Sequence, residues 1–175
     1  MSIQLVQHIT VGSGGVASVT FSAIPQTGTG LILQYSARKD GSAQNYGRLR
    51  FNSDTSNNYI DFSIQALGPF AYPSNYYPTI DFPGAATSSI RLLLGLSSQA
   101  AGCFSNGTVE VFNYTSTADK SVNKNIATES NENNTPNMEM GHGIYTGGAI
   151  TSLTVVGVND LIEHSTFSLY QIMAD

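Results

Sequence analysis

The sequence predicts an all-β fold, a two-sheet jelly-roll-like β-sandwich of about 9–11 short antiparallel strands that takes residues 1–175 as one domain. Three observations predict it. Apolar residues recur with period two or in short β-branched and aromatic runs, Gly, Pro and Asn punctuate those runs, and no window of a dozen residues carries a capped 3.6-residue stripe. Long proline-containing crossovers favour a jelly roll over a simple meander, and no internal repeat points to a propeller or solenoid.

Ile3 to Val11 reads as the first strand, and after Gly12-Ser13-Gly14-Gly15 comes Val16 to Ser22, so that the two read as a hairpin. A corner at Ile24 to Gly28 leads to the strand Leu31 to Arg38, and Asp40-Gly41-Ser42 turns the chain into Tyr46 to Asn52, with Leu49 and Phe51 inward. Ser53 to Asn58 is a polar turn. Tyr59 to Leu67 has the clearest alternation in the chain, Ile60, Phe62, Ile64 and Ala66 against Asp61, Ser63 and Gln65, and its apolar side is expected in the core.

Residues 68–86, GPFAYPSNYYPTIDFPGAA, hold four prolines and cannot form an interior strand, because proline lacks the ladder donor; they read as a long ordered loop. Strands return at Ser89 to Leu96 and Thr108 to Tyr114. The segment 115–143 is polar and Asn-rich, with an edge strand over Ala118 to Thr128 and its greatest mobility expected at Asn131 to Pro136. Met138 to Tyr145, Ala149 to Val156 and Ser165 to Ile172 close the fold. The expected core is Phe21, Leu33, Leu49, Phe51, Ile60, Phe62, Ile64, Val109, Val111, Leu153, Val155, Phe167 and Leu169.

Charged residues are 11% of the chain, under half the roughly 25% usual for soluble domains. Ser, Thr and Asn carry the solubility instead. A net charge of −5 argues against nucleic acid, which needs a basic stripe, and no apolar run is long enough to span a membrane by a helix. Residues 1–11 show neither a basic region nor a long apolar stretch of the kind that directs export.

Chemistry is sparse. Cys103, the one cysteine, rules out an internal disulfide and reads as inert. His8, His142 and His164 lie in different elements without metal-ligand spacing, and His142 reads as a solvated turn histidine. Asp61 and Glu110, the strand-borne carboxylates, are expected to face solvent, which disfavours a glycosidase pair. Asp54 to Asn58 reads as an Asx-type turn, and the Asn-x-Thr matches at Asn106, Asn113 and Asn133 read as chance in so Asn- and Thr-rich a chain. No enzyme, cofactor or metal is expected. The exception is the aromatic loop, where Phe70, Tyr72, Tyr76, Tyr77 and Phe82 between prolines offer large contact area at low entropic cost. Those five are the candidate partner-binding residues, against the alternative that their rings close one end of the fold.

Ser18 to Thr27, Tyr35-Ser36-Ala37-Arg38, Leu49 to Tyr59, Ala149 to Thr154 and Ser165 to Tyr170 together resemble small virion-associated β-domains of tailed bacteriophages, particularly phages of cyanobacteria and aquatic bacteria. The likeness runs in scattered blocks over most of the chain, leaves out 68–105, and includes no catalytic residue. In the usual pattern a glycine follows Phe-Asn, where this chain has Ser53.

The resemblance implies a virion structural role on capsid or tail. With a chain that starts at its own Met1, the expectation is a capsid decoration or cement protein on the virion surface. Its expected partners are the major capsid protein or other virion proteins, in a homo-oligomer that is a trimer by analogy. The alternative is a tail or fibre adhesin that stacks tyrosines on host glycans; a distant hydrolase on a β-sandwich ranks third.

Overall fold

A computed structural model describes residues 2–42, 46–67, 79–81, 86–128 and 137–174. Every regular element among them is a strand: β1 (Ser2–Thr10), β2 (Val16–Phe21), β3 (Gly30–Lys39), β4 (Tyr46–Phe51), β5 (Tyr59–Leu67), β6 (Thr79–Asp81), β7 (Ile90–Leu93), β8 (Gly95–Leu96), β9 (Ser105–Phe112), β10 (Lys120–Thr128), β11 (Asn137–Tyr145), β12 (Leu153–Leu161) and β13 (Thr166–Met173). The all-β reading is therefore correct. Thirteen strands exceed the expected number because the run Ser89 to Leu96 breaks at Leu94 and the short β6 lies within the proline-rich stretch.

The pairing is that of a jelly roll. One sheet runs β1-β13-β3-β9 and the other β2-β12-β4-β7, all antiparallel. Beyond β9 the first sheet continues through β10, β11, β5 and β6. The end of β3 joins the sheets, through Lys39 opposite Leu161 and a short parallel pairing with β8. A bridge between Tyr59 and Thr87 draws the extension towards β7, so that the whole nearly closes into a barrel.

The turn after β1 departs from expectation. β1 and β2 do not form a hairpin, because β1 pairs with β13 and β2 with β12 in the opposite sheet. Gly14 and Gly15 take φ of 92° and 70°, a backbone that L side chains rarely adopt, and carry the chain across the sandwich. β1 is an edge strand with Ile3 and Leu5 exposed.

Ten of the thirteen expected core residues are buried between the sheets, among them Phe21, Leu49, Phe51, Val155 and Phe167. Ile60, Phe62 and Ile64 are the exceptions. Ile60 and Phe62 are half-buried and Ile64 is 53% exposed, while Asp61 and Ser63 are the buried residues of β5. The strand is where the alternation placed it, but its faces are exchanged.

Tyr59 sets that phase. Its ring is fully buried beside Tyr145, with centroids 4.9 Å apart, and beside Phe51 at 6.1 Å. Its hydroxyl accepts the Phe51 amide at 2.9 Å. With Tyr59 inward, period two sends 61, 63 and 65 inward and 60, 62 and 64 outward. The segment expected at the edge over Ala118 to Thr128 is β10, an interior strand between β9 and β11.

Candidate functional site

The five aromatic candidates, Phe70, Tyr72, Tyr76, Tyr77 and Phe82, lie outside the described residues, as do Asn131 to Pro136. The borders of the aromatic stretch are placed. β5 leads into it, β6 returns along β5 with Ile80 opposite Ile64, and Thr87 follows it, pairing with Tyr59.

Beside that border the exchanged face of β5 meets the inward positions of β10 and β11 in a buried ionic network. Lys124 Nζ lies 2.5 Å from Glu139 Oε1 and 2.8 Å from Asp61 Oδ1, and it donates to the Arg91 carbonyl at 2.8 Å. Glu139 also accepts from Ser63 Oγ at 2.9 Å and Gln65 Nε2 at 3.0 Å, and Asp61 Oδ2 accepts the Arg91 amide at 2.9 Å. Arg91 Nε stands 3.8 Å from Glu139 Oε2. The solvent-facing Asp61 of the sequence reading is thus corrected: it is buried because its strand is turned and Lys124 offsets the loss of water.

Over this network opens a cleft of about 310 Å³. Arg48 and Arg91, directly opposite each other on β4 and β7, border it together with Tyr46, Thr87, Ser88 and Ser89. Asp61 and Ser63 form its deep side. The chain has seven Lys and Arg residues, and Arg38, Lys39, Lys120 and Lys124 are buried. The three that keep solvent exposure, Arg48, Arg50 and Arg91, therefore stand together here, with Arg50 Nε on the Ser88 carbonyl at 3.3 Å.

The opposite side of the same strands is apolar. Ile64 and Met140 are direct partners on β5 and β11, 53% and 54% exposed, and Met138 is next along. Phe62 and Ile60 continue the patch, and Ser121, Asn123 and Asn125 of β10 border it. Among the described side chains, the outward faces of β5, β10 and β11 carry no Asp, Glu, Lys or Arg.

The remaining candidates take ordinary places. Cys103 is half-buried in a turn. His142 lies in β11, not in a turn, and bonds Ser121 Oγ at 2.7 Å; His8 bonds Ser168 Oγ at 2.8 Å. Asp54 makes the expected Asx turn: it accepts from Asn58 Nδ2 and the Ser56 amide, each at 2.8 Å, which holds its carboxyl below the usual carboxylate range. Among the described residues no three His, Cys, Asp or Glu side chains gather closely enough to hold a metal ion.

No protein-family model, curated protein or solved structure matches the chain.

Sequence reasoning missed both the cleft and the apolar face, since each follows from the phase of β5. One signal was present in KSVNKNIAT, residues 120–128, where Lys120 and Lys124 share their side of the strand with Val122 and Ile126.

Proposed function

We propose that this protein is a structural subunit of a bacteriophage virion, a capsid decoration protein that stabilises the shell through protein contacts and works as a homo-oligomer, with three copies as the expected number. One observation carries the reading: β5 and β11 turn Ile64, Met138 and Met140 to solvent while the carboxylates of the same strands are buried. An apolar patch of this kind on a small protein marks an association surface.

The occupant of that face is a second copy of the chain. At a net charge of −5 two copies repel, and they approach most easily through a face without formal charge. Thioether and aliphatic side chains bordered by amides pack on a copy of themselves without leaving an ion unpaired. The resemblance to phage virion domains supplies the setting.

Sedimentation equilibrium tests the assembly, with a closed oligomer expected for the native chain and monomer for Ile64→Asp/Met140→Asp. A monomeric native chain, or a variant that stays oligomeric, refutes this face. Particles that lack the protein should package DNA yet burst at lower temperature; normal toughness refutes the decoration role.

A further inference from the structure

We infer that the cleft between β4, β7 and β5 is a binding site for an acidic sugar, its carboxylate held by Arg48 and Arg91 and its hydroxyls by the hydroxyl-lined walls and Asp61. This site is independent of the apolar face through which the subunits are proposed to associate.

The first argument is electrostatic. Arg48 and Arg91 are directly opposite on adjacent antiparallel strands, where like charges destabilise a sheet; Arg91 has Glu139 beside it, and the exposed Arg48 is the charge that a bound anion would offset. The strand partners of Arg48 and Arg50 on their other side are Val156 and Thr154, which bring no carboxylate to that face. Arg48 and Arg91 line the cleft with Asp61, whose charge the buried Lys124 offsets, and Arg50 stands beside it on the Ser88 carbonyl. Arg48 is exposed, with no ion pair among the described residues, so its guanidinium can present a two-pronged donor to a carboxylate.

The second argument is the remaining lining. Tyr46, Thr87, Ser88 and Ser89 supply hydroxyls, and among the described residues no aliphatic side chain borders the cleft. An acidic peptide would leave its methylenes without an apolar contact, whereas a sugar offers hydroxyls to exchange hydrogen bonds. On the deep side Asp61 Oδ1 is buried and, beyond its ion pair with Lys124, accepts no hydrogen bond. A plain oxyanion would be repelled there. A hydroxyl would donate to it, so arginines on one side and a carboxylate on the other suit a molecule that carries both an acid and hydroxyl groups.

Titration of the native oligomer by calorimetry tests this with a galacturonate trisaccharide, the matching neutral galactose trisaccharide, a triglutamate peptide and sodium sulfate as probes. Binding of the galacturonate probe that weakens with salt, and at least about tenfold with Arg48→Gln, is the expected result. Arg48 is exposed, so this variant should keep its unfolding midpoint, and Glu110→Gln on the opposite sheet should bind as wild type does. Failure to bind galacturonate, equal binding of the neutral sugar, or an unchanged affinity in Arg48→Gln overturns the site. Equal binding of triglutamate or sulfate overturns the sugar assignment.

Discussion

Lys124 and Glu139, on adjacent strands β10 and β11, meet at 2.5 Å with both side chains withdrawn from water. Such a pair adds little net stability over a well-packed apolar pair, but breaking it leaves a buried charge without its partner. Glu139→Gln and Lys124→Met should each destabilise by about 3–5 kcal/mol, and the double variant Lys124→Met/Glu139→Leu by less than the sum of the two. Urea unfolding of the four proteins checks this; additive losses would mean that the two do not act as a pair.

The exchanged faces of β5 predict opposite outcomes for two phenylalanines. Phe51 is fully buried against Tyr59 and Tyr145, and Phe51→Ala should cost about 3–5 kcal/mol. Phe62 is half-buried on the outward face, so Phe62→Ala should cost about 1 kcal/mol in the unassembled subunit. Equal losses in chemical denaturation would return Phe62 to the core.

The turn Phe51-Asn52-Ser53-Asp54 is type I′, with φ of 54° and 55° at its central residues and the Asp54 amide on the Phe51 carbonyl at 2.9 Å. Ser53 thus occupies the position at which such turns favour glycine. Ser53→Gly should stabilise by roughly 0.5 kcal/mol, the relief of left-handed strain less the entropy of an added glycine. Asn52→Ala should cost about 2 kcal/mol, because the Asn52 side chain accepts the Thr151 amide at 2.8 Å and donates to the Ala149 carbonyl at 2.8 Å. Thermal melting of both variants decides, and melting points that shift in one direction would contradict the pair of predictions.

Burial raises the phenol pKa of Tyr35, Tyr59 and Tyr145 above the ordinary 10.0. The folded chain then holds protons that the unfolded chain releases. Their contribution to stability is complete below about pH 10 and is lost as pH rises through the folded values. Lys39 and Lys120 act in the opposite sense: burial lowers their pKa from 10.5, so the unfolded chain keeps its protons longer and stability rises with pH in that window. The amine window lies below 10.5 and the phenol window above 10, so the urea midpoint should rise as the pH approaches about 10 and fall above it. A midpoint that keeps rising well above that pH would contradict the raised phenols.

The strands were legible because period-two patterning and turn residues are local, and Leu49, Phe51, Val109, Val111, Phe167 and Leu169 show that the inward face was usually legible too. In β5 the pattern gives a period without a sign. Ile60, Phe62 and Ile64 were assigned to the core on hydrophobicity, but the burial of Tyr59 among Phe51 and Tyr145 decides the phase, and Tyr145 is distant in sequence. The ionic network was illegible for the same reason, since Asp61, Arg91, Lys124 and Glu139 come from four strands and form no motif. Arg48 and Arg91 become neighbours only through the pairing of β4 with β7.

Among the described residues strand β1 pairs with β13 alone, with His8 bonding Ser168 across 160 residues of chain. During synthesis β1 leaves the ribosome long before the strand that receives it exists, and Ile3 and Leu5 stay available to other chains throughout that wait. Sheet closure at this edge therefore waits for the synthesis of β13, and crowded polysomes are where mispairing between nascent copies has its best opportunity.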